Sequence, residues 1–133
     1  CIRDRCCVPH MESKGWGRIV TLGSVQQNRP SKQMIVYAAS KAAQLNMVKN
    51  LAWQLGNKGI TINNLAPGVI GTVRNEEVLS NEVFKTKIEK NIPLGYIGEP
   101  DDLASMALLL CSEAGRYISG ADILVDGGMS LPE

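Results

Sequence analysis

The amino-acid sequence predicts an α/β fold that forms part of a doubly wound parallel sheet. Three runs rich in β-branched residues alternate with segments of helical periodicity. These runs cover residues 18–22, 60–65 and 121–125. Because strands that alternate with helices usually lie parallel, helices are expected on both faces and ligands beyond the carboxyl ends of the strands. Such sheets usually have about five or six strands, so we expect a partial sheet that lacks its N-terminal half.

Length and charge restrict the classes of protein to which the chain can belong. Its 133 residues suit one globular domain, and 14 Lys and Arg against 13 Asp and Glu leave a formal charge of +1. That balance argues against nucleic-acid and acidic-membrane partners. The longest apolar stretch, residues 106–111, is far shorter than the ~20 residues that span a bilayer. The cysteines lack the spacing of a disulfide framework and no signal-like run is visible, so a cytoplasmic location is expected.

The longest predicted helix, residues 36–55, has apolar residues on two sides. One broad face contains Tyr37, Lys41 and the apolar residues Ala38, Ala42, Leu45, Val48, Leu51, Ala52 and Leu55. The opposite side carries a second stripe, Ala39, Ala43 and Met47. Because a surface helix needs only one apolar face, the second stripe predicts a contact between subunits. Either Gly56 or Gly59 can take the left-handed conformation that ends a helix.

Two further helical segments are predicted after the second strand. Residues 75–91 are polar with helical periodicity and are expected to form a mobile cover. Residues 99–111 begin with Pro100 and with carboxylates that the positive end of a helix dipole favours. Cys111, at the end of that segment, is expected to be a small buried hydrophobic residue.

Ser24, Tyr37 and Lys41 form the constellation with the clearest chemical meaning. Tyr37 and Lys41 are four residues apart on one helix, so they project from the same face. A phenol ionises near pH ~10, and a nearby lysine cation favours the ionised form. Ser24 follows the first strand and could offer its hydroxyl to the same substrate oxygen. The group can move a proton to or from an alcohol or a carbonyl, although such a Tyr–Lys pair also occurs as an ordinary pair on a helix surface.

Five motifs follow one another along the chain. They are residues 37–43 (Tyr-Ala-Ala-Ser-Lys-Ala-Ala), 63–68 (Asn-Asn-Leu-Ala-Pro-Gly), 98–103 (Gly-Glu-Pro-Asp-Asp-Leu), 118–120 (Ile-Ser-Gly) and 125–128 (Val-Asp-Gly-Gly). In this order they resemble the short-chain dehydrogenase/reductase family, and the likeness extends over about residues 8–129. The resemblance implies the C-terminal half of a Rossmann-type fold and an oxidoreductase that interconverts a secondary alcohol and a ketone with NAD or NADP.

The resemblance also implies a role for each matching residue. Tyr37 would be the general acid–base, Lys41 would favour its phenolate and bind the nicotinamide ribose, and Ser24 would orient the substrate oxygen. The remaining residues on the cofactor side would be Pro67, Gly68, Ile70 and Thr72. Of these, the Ile70 backbone and Thr72 would meet the nicotinamide carboxamide, and Pro67 and Gly68 would shape that wall. Members of the family usually form dimers or tetramers, in agreement with the second stripe of the long helix.

The chain also departs from the family pattern. Gly15, Trp16 and Gly17 precede a strand instead of following one, so they do not form the Gly-rich phosphate loop. Residues 1–7 are interpreted as a leader, non-native or disordered, and residues 8–133 as the C-terminal catalytic portion of one NAD(P)-binding Rossmann domain. The alternative hypothesis is a truncated, catalytically incompetent fragment that acts only as a subunit-like interaction module.

The sequence allows more than one substrate class and raises the question of a metal site. A 3-oxoacyl thioester and a sugar or sugar acid are the leading substrates, and residues 73–94 are expected to decide between them. Polar residues of the loop after Ser24, namely Gln26, Arg29 and Gln33, are alternative substrate contacts or simply an exposed loop. Cys1, Cys6, Cys7 and His10 have ligand chemistry for zinc, but two adjacent cysteines without a second ligand pair argue against a metal site.

Overall fold

A three-stranded parallel sheet organises the chain, in a computed structural model that describes residues 2–132 and the side chains of residues 6–132. The strands are β1 (Gly17–Leu22), β2 (Ile60–Pro67) and β3 (Asp122–Val125), in the order β1-β2-β3. Gly17 pairs with Ile60, and Asn64 pairs with Asp122. The predicted α/β class and the parallel sheet are therefore confirmed, with each strand within two residues of its predicted bounds.

One helix precedes β1, and the other helices of the described residues occupy the segments between the strands. They are α1 (Ile2–Lys14), α2 (Ile35–Leu55), α3 (Glu76–Leu79), α4 (Glu82–Lys90) and α5 (Pro100–Cys111). The predicted single helix over residues 75–91 is two helices, because Asn81 takes an extended conformation and its side chain caps α4 through the amides of Val83 and Phe84. Whether this pair of helices is a mobile cover stays a prediction.

The sheet is covered on both faces. Side chains of successive strand residues point to opposite faces. Ile19 packs with the apolar cluster of α2, whereas the Arg18 guanidinium donates to the carbonyl of Ser112, just after α5. The helices α2 and α5 therefore lie on opposite faces, and the central strand β2 is buried along nearly its whole length.

The long helix α2 buries a narrower face than predicted. Its buried residues are Ala38, Val48, Ala52 and Leu55. The prediction that Ala42 belongs to the buried face is wrong, because this part of α2 lies where β1 ends at Leu22 and the side chain reaches solvent. The predicted second stripe, Ala39, Ala43 and Met47, is exposed. Gly59 takes the left-handed conformation at φ 76°, as predicted for one of the two glycines.

The expectation for Cys111 is also wrong, since its side chain is exposed. The preceding residue, Leu110, is fully buried. One position along a helix rotates a side chain by about 100°, and Cys111 is the last residue of α5, so it turns away from the core.

The described part of the chain contains neither a membrane-spanning helix nor a cluster of metal-ligand side chains. None of its helices has both the length and the apolar character that crossing a membrane requires. Between residues 2 and 132 no three His, Cys, Asp or Glu side chains are grouped as a metal site would need, and Cys1 lies outside the described residues. Cys6, Cys7 and His10 are exposed on α1.

Candidate functional site

Ser24 lies just beyond the carboxyl end of β1 and is buried. It caps the short 3₁₀ turn Val25–Gln27, where its hydroxyl oxygen accepts a hydrogen bond from the Gln26 amide at 3.2 Å. The Gln27 side-chain oxygen in turn accepts from the Ser24 amide at 3.3 Å. This reciprocal capping box fixes the position of the serine relative to the sheet.

Tyr37 and Lys41 lie in the first half of α2, and both are half-buried. The Lys41 ammonium nitrogen lies 5.8 Å from the centre of the Tyr37 ring. It donates to the Leu22 carbonyl at 2.6 Å and to the Gln44 side-chain oxygen at 3.3 Å. Because Leu22 is the last residue of β1 and Ser24 is two residues further, the structure brings all three predicted residues to the carboxyl end of one strand.

The four predicted residues of the cofactor side lie at or just beyond the carboxyl end of β2. Pro67 ends that strand, and the Gly68 amide donates to the Val125 carbonyl at 3.0 Å. A Cβ atom at Gly68 would lie 2.8 Å from the Asp126 Cα atom, which explains why a glycine is needed there. Ile70 is buried and bridges to Gly98. Thr72 is exposed, and its hydroxyl does not cap the 3₁₀ turn that follows it.

The side chains of Asn64 and Asp122, which the sequence analysis did not identify, connect the strands with the helix α2. Asn64, fully buried in β2, donates to the Asp122 carboxylate at 2.8 Å. Its side-chain oxygen accepts from Thr21 at 2.7 Å and from Gln44 at 3.3 Å. The pair Asn63 and Asn64 in a buried strand was the available signal, because a buried amide needs hydrogen-bond partners.

Two of the three loop residues considered as substrate contacts are engaged within the chain. The Gln26 side-chain oxygen accepts from the Ser31 amide at 2.7 Å. Arg29 donates to the Met129 carbonyl at 2.6 Å and to the Leu131 carbonyl at 3.3 Å. These contacts join the loop after Ser24 to the end of the chain, whereas Gln33 is exposed.

Asp126 lies immediately after the carboxyl end of β3. Partial burial alone would raise the pKa of its carboxyl, but hydrogen bonds from the Ser130 side chain and from the amides of Gly128 and Ser130 lower the pKa below its usual value. The two amide contacts measure 2.9 and 2.8 Å. The carboxylate therefore stabilises the turn after β3 in its ionised form.

The family model described as enoyl-(acyl carrier protein) reductase matches residues 4–130. The chain belongs to the short-chain dehydrogenase/reductase family. The match includes both the strand ends and the Tyr37–Lys41 helix, and it confirms the resemblance recognised in the five motifs.

Three similar proteins illustrate the range of the family. The 7alpha-hydroxysteroid dehydrogenase of Escherichia coli K12 is 39% identical over 120 residues, which cover 90% of this chain and 47% of that enzyme. A gluconate 5-dehydrogenase from Burkholderia cenocepacia, crystallised with NADP and tartrate, has a TM-score of 0.92 at 30% identity, covering 98% of this chain and 51% of that one. A 4-hydroxyisoleucine dehydrogenase complexed with NADH has a TM-score of 0.84 at 33% identity, covering 86% and 47% respectively. The chain thus spans about half the length of the relatives it matches.

Proposed function

We propose that this chain carries the catalytic and nicotinamide-binding side of an NAD- or NADP-dependent oxidoreductase that interconverts a secondary alcohol and a ketone. The observation that carries the proposal is the position of Lys41, whose ammonium group is anchored to the end of β1 beside the Tyr37 ring. Family membership supports the reaction class, since the three relatives described above are all named dehydrogenases.

Lys41 and Ser24 each keep a hydrogen-bond donor for a ligand. A lysine ammonium has three N–H donors. Among the described residues, two of them go to the Leu22 carbonyl and the Gln44 side chain, which leaves one for a ligand hydroxyl. Ser24 uses one lone pair to accept from Gln26, so its O–H hydrogen stays available for a substrate oxygen.

Proton transfer is assigned to Tyr37. In reduction its phenol donates a proton to the carbonyl oxygen, which becomes the alcohol oxygen; in oxidation the phenolate takes that proton back. The Lys41 cation lies 5.8 Å from the centre of the Tyr37 ring. Ser24 donates a hydrogen bond to the same oxygen and so fixes the substrate relative to the phenol.

The residues present fit the nicotinamide end of the cofactor. The free N–H of Lys41 suits a ribose hydroxyl, and the uncommitted Thr72 hydroxyl with the Ile70 backbone suits a carboxamide. Pro67 and Gly68 form the adjoining wall, where β2 and β3 end side by side. When bound, NAD or NADP supplies the hydride acceptor or donor. NADP in one solved relative and NADH in another support either cofactor.

Among substrates, a sugar acid or a 3-oxoacyl thioester is proposed. The solved gluconate 5-dehydrogenase supports the first, and the name of the matching family model supports an acyl substrate. We also infer that copies of the protein associate through the exposed stripe of Ala39, Ala43 and Met47, which is apolar and without a contact in the described chain's core. The alternative of a purely non-catalytic interaction module is not favoured, because the family match includes every proposed catalytic residue.

Substitution of Tyr37 tests the proposed function. In the full-length product of the gene, Tyr37→Phe removes the proton donor and should lower kcat at least about a hundredfold, the scale of a general acid–base contribution. Turnover is followed by the absorbance of NADH or NADPH, with gluconate, a hydroxysteroid and a 3-oxoacyl thioester as substrates.

Tyr117→Phe is the matched control, because the same hydroxyl is removed from a fully exposed ring. It should keep wild-type kcat, and both variants should keep the wild-type melting temperature. Wild-type turnover by Tyr37→Phe would refute the assignment. Absence of NADH and NADPH binding by the full-length protein would refute the oxidoreductase itself.

A further inference from the structure

A continuous line of hydrogen bonds leads from Asp122, at the start of β3, to Lys41 on α2. Asn64 donates to the Asp122 carboxylate at 2.8 Å, and Gln44 donates to the Asn64 side-chain oxygen at 3.3 Å. Lys41 then donates to the Gln44 side-chain oxygen at 3.3 Å. We call these four residues the amide relay. Its ends carry opposite charges, and its middle residues are neutral amides.

The chemistry of the end groups sets the direction of the relay. A carboxylate can only accept hydrogen bonds, so Asp122 requires Asn64 to present its NH₂ group. The Asn64 oxygen then faces Gln44, which must present its own NH₂ group. That leaves the Gln44 oxygen directed at Lys41, an obligate donor. Gln44 also donates to the Leu22 carbonyl at 2.9 Å. Asp122, acting through Asn64, and the Leu22 carbonyl therefore together favour the orientation in which an acceptor, and not a donor, meets the ammonium group.

The same carboxylate also holds the loop that carries Ser24. Gln27 donates to it at 2.7 Å and Asn28 at 2.9 Å. Gln27 closes the capping box of Ser24. One carboxylate is thus joined to both groups that flank Tyr37, by one side-chain contact on the Ser24 side and by two amides on the Lys41 side.

We propose that Asp122 is a positioning residue for catalysis, which acts through Asn64 and Gln44 on Lys41 and through Gln27 on Ser24. The inference rests on the proposed function and deepens it, since it specifies what keeps the reacting groups in register. Its role is indirect, because the hydrogen-bond partners that the structure gives its carboxylate are the side chains of Gln27, Asn28 and Asn64.

The relay predicts non-additive kinetics in the full-length protein. Gln44→Leu should lower kcat roughly tenfold through misplacement of Lys41, with a smaller change in the KM for substrate. Asp122→Ala should lower kcat by at least as much, because it also releases the Gln27 contact that holds the Ser24 loop. Because both changes interrupt one relay, the double variant should be no slower than the slower single variant. A product of the two single effects, roughly a hundredfold loss, would show that the residues act separately and would overturn the proposal, as would a wild-type kcat in Asp122→Ala.

Two matched variants separate the relay from general damage. Gln54→Leu makes the same chemical change on the same helix at an exposed position, and it should leave kcat unchanged. Asp122→Asn keeps one oxygen that can accept from both Gln27 and Asn64, so it should restore kcat to within about threefold of wild type. Equal loss in Asp122→Asn and Asp122→Ala would contradict the orientation argument.

An NMR measurement tests the relay independently of enzyme activity. In the ¹H–¹⁵N NMR spectrum, Asp122→Ala should shift the side-chain amide signals of Gln44, whereas those of Gln54 should not move. If Tyr37→Phe kept activity while the Gln44 signals moved, the proposed function would fail and the relay would stand. If Tyr37→Phe lost activity, but Asp122→Ala changed neither the Gln44 signals nor kcat, the proposed function would stand and the relay would fail.

Discussion

The two ends of the sheet both hold a basic side chain, but they use it differently. At the amino end, the Arg18 side chain is only 5% exposed and donates to the carbonyls of Gly17, Gly59 and Ser112 at 2.9, 3.4 and 3.2 Å. It also pairs with Glu113 at 3.2 Å and lies 4.9 Å from the Trp16 ring centre. At the carboxyl end, Lys41 has one strand carbonyl and one amide as partners, and keeps a donor free.

The different partners of Arg18 and Lys41 indicate that the amino end of the sheet contributes to stability and the carboxyl end to ligand binding. A guanidinium has a fixed fork of donors that several backbone carbonyls can occupy at once, so Arg18 ties the turns around the amino end together. An ammonium is a compact charge with three rotatable donors, so Lys41 can be anchored by two and still bind a ligand with the third. We therefore expect changes at the amino end to alter folding alone, and changes at the carboxyl end to alter activity as well.

The largest effect on stability is expected from Gly59→Ala at the amino end. Gly59 has φ 76°, and a Cβ atom there would lie 2.0 Å from the Gly15 carbonyl oxygen. The left-handed backbone and this collision should together cost roughly 3 kcal/mol of the free energy of unfolding. Urea denaturation measures the loss, and kcat per folded molecule should not change.

Gly56→Ala is the control for that variant. Gly56 begins the 3₁₀ turn that Gly59 caps, has φ −60°, and a Cβ atom there would meet nothing within 4 Å. It should be neutral or stabilising by up to ~1 kcal/mol. Equal destabilisation by both substitutions would contradict the structural account of this turn.

A medium effect is expected from Thr61→Val, in the amino half of β2. Among the described residues, the Thr61 hydroxyl is the buried side-chain oxygen that has no hydrogen-bond partner. Removing an unpaired buried hydroxyl while keeping its shape should raise the free energy of unfolding by about 1 kcal/mol. The melting temperature should rise accordingly.

Thr21→Val makes the same change where the hydroxyl is paired. Thr21 donates to the Asn64 side chain at 2.7 Å, so its loss should lower the free energy of unfolding by about 1 kcal/mol. Opposite signs for the two valine variants are the expected result. The same sign for both would show that the pairing of the hydroxyl does not control its contribution.

The smallest effect is expected from Asp126→Asn, at the carboxyl end of β3. The lowered pKa of the Asp126 carboxyl means that its ionised form stabilises the fold. This contribution is complete above the unfolded-state pKa near ~4 and is lost as the pH falls through the lower folded-state pKa. Asp126→Asn should therefore be less stable than wild type at neutral pH and equally stable at low pH.

Urea denaturation of both proteins at pH values from about 2 to 7 measures the difference in their free energies of unfolding. A constant difference between Asp126→Asn and wild type across that range would refute the assignment.

Local patterns predicted much of this architecture. Runs of β-branched residues placed the three strands, and the four-residue spacing of Tyr37 and Lys41 put both on one face of α2. Errors arose at the margins of elements: Ala42 is exposed where the sheet ends, and Cys111 is exposed where α5 ends. Periodicity describes which residues share a face, but not how far a neighbouring element extends along that face.

The sequence by itself determined the order of strands and helices, limited the left-handed glycine after α2 to Gly56 or Gly59, and put Tyr37 and Lys41 on one face of a helix. These depend on backbone conformational preference and on spacing within single elements, which are local properties. Only the tertiary structure joined Asp122 to Lys41, because Asn64 and Asp122 meet through strand register and Gln44 approaches from the helix above. Contacts between residues distant in the chain depend on how elements pack, and a buried amide finds its partners only after that packing has formed.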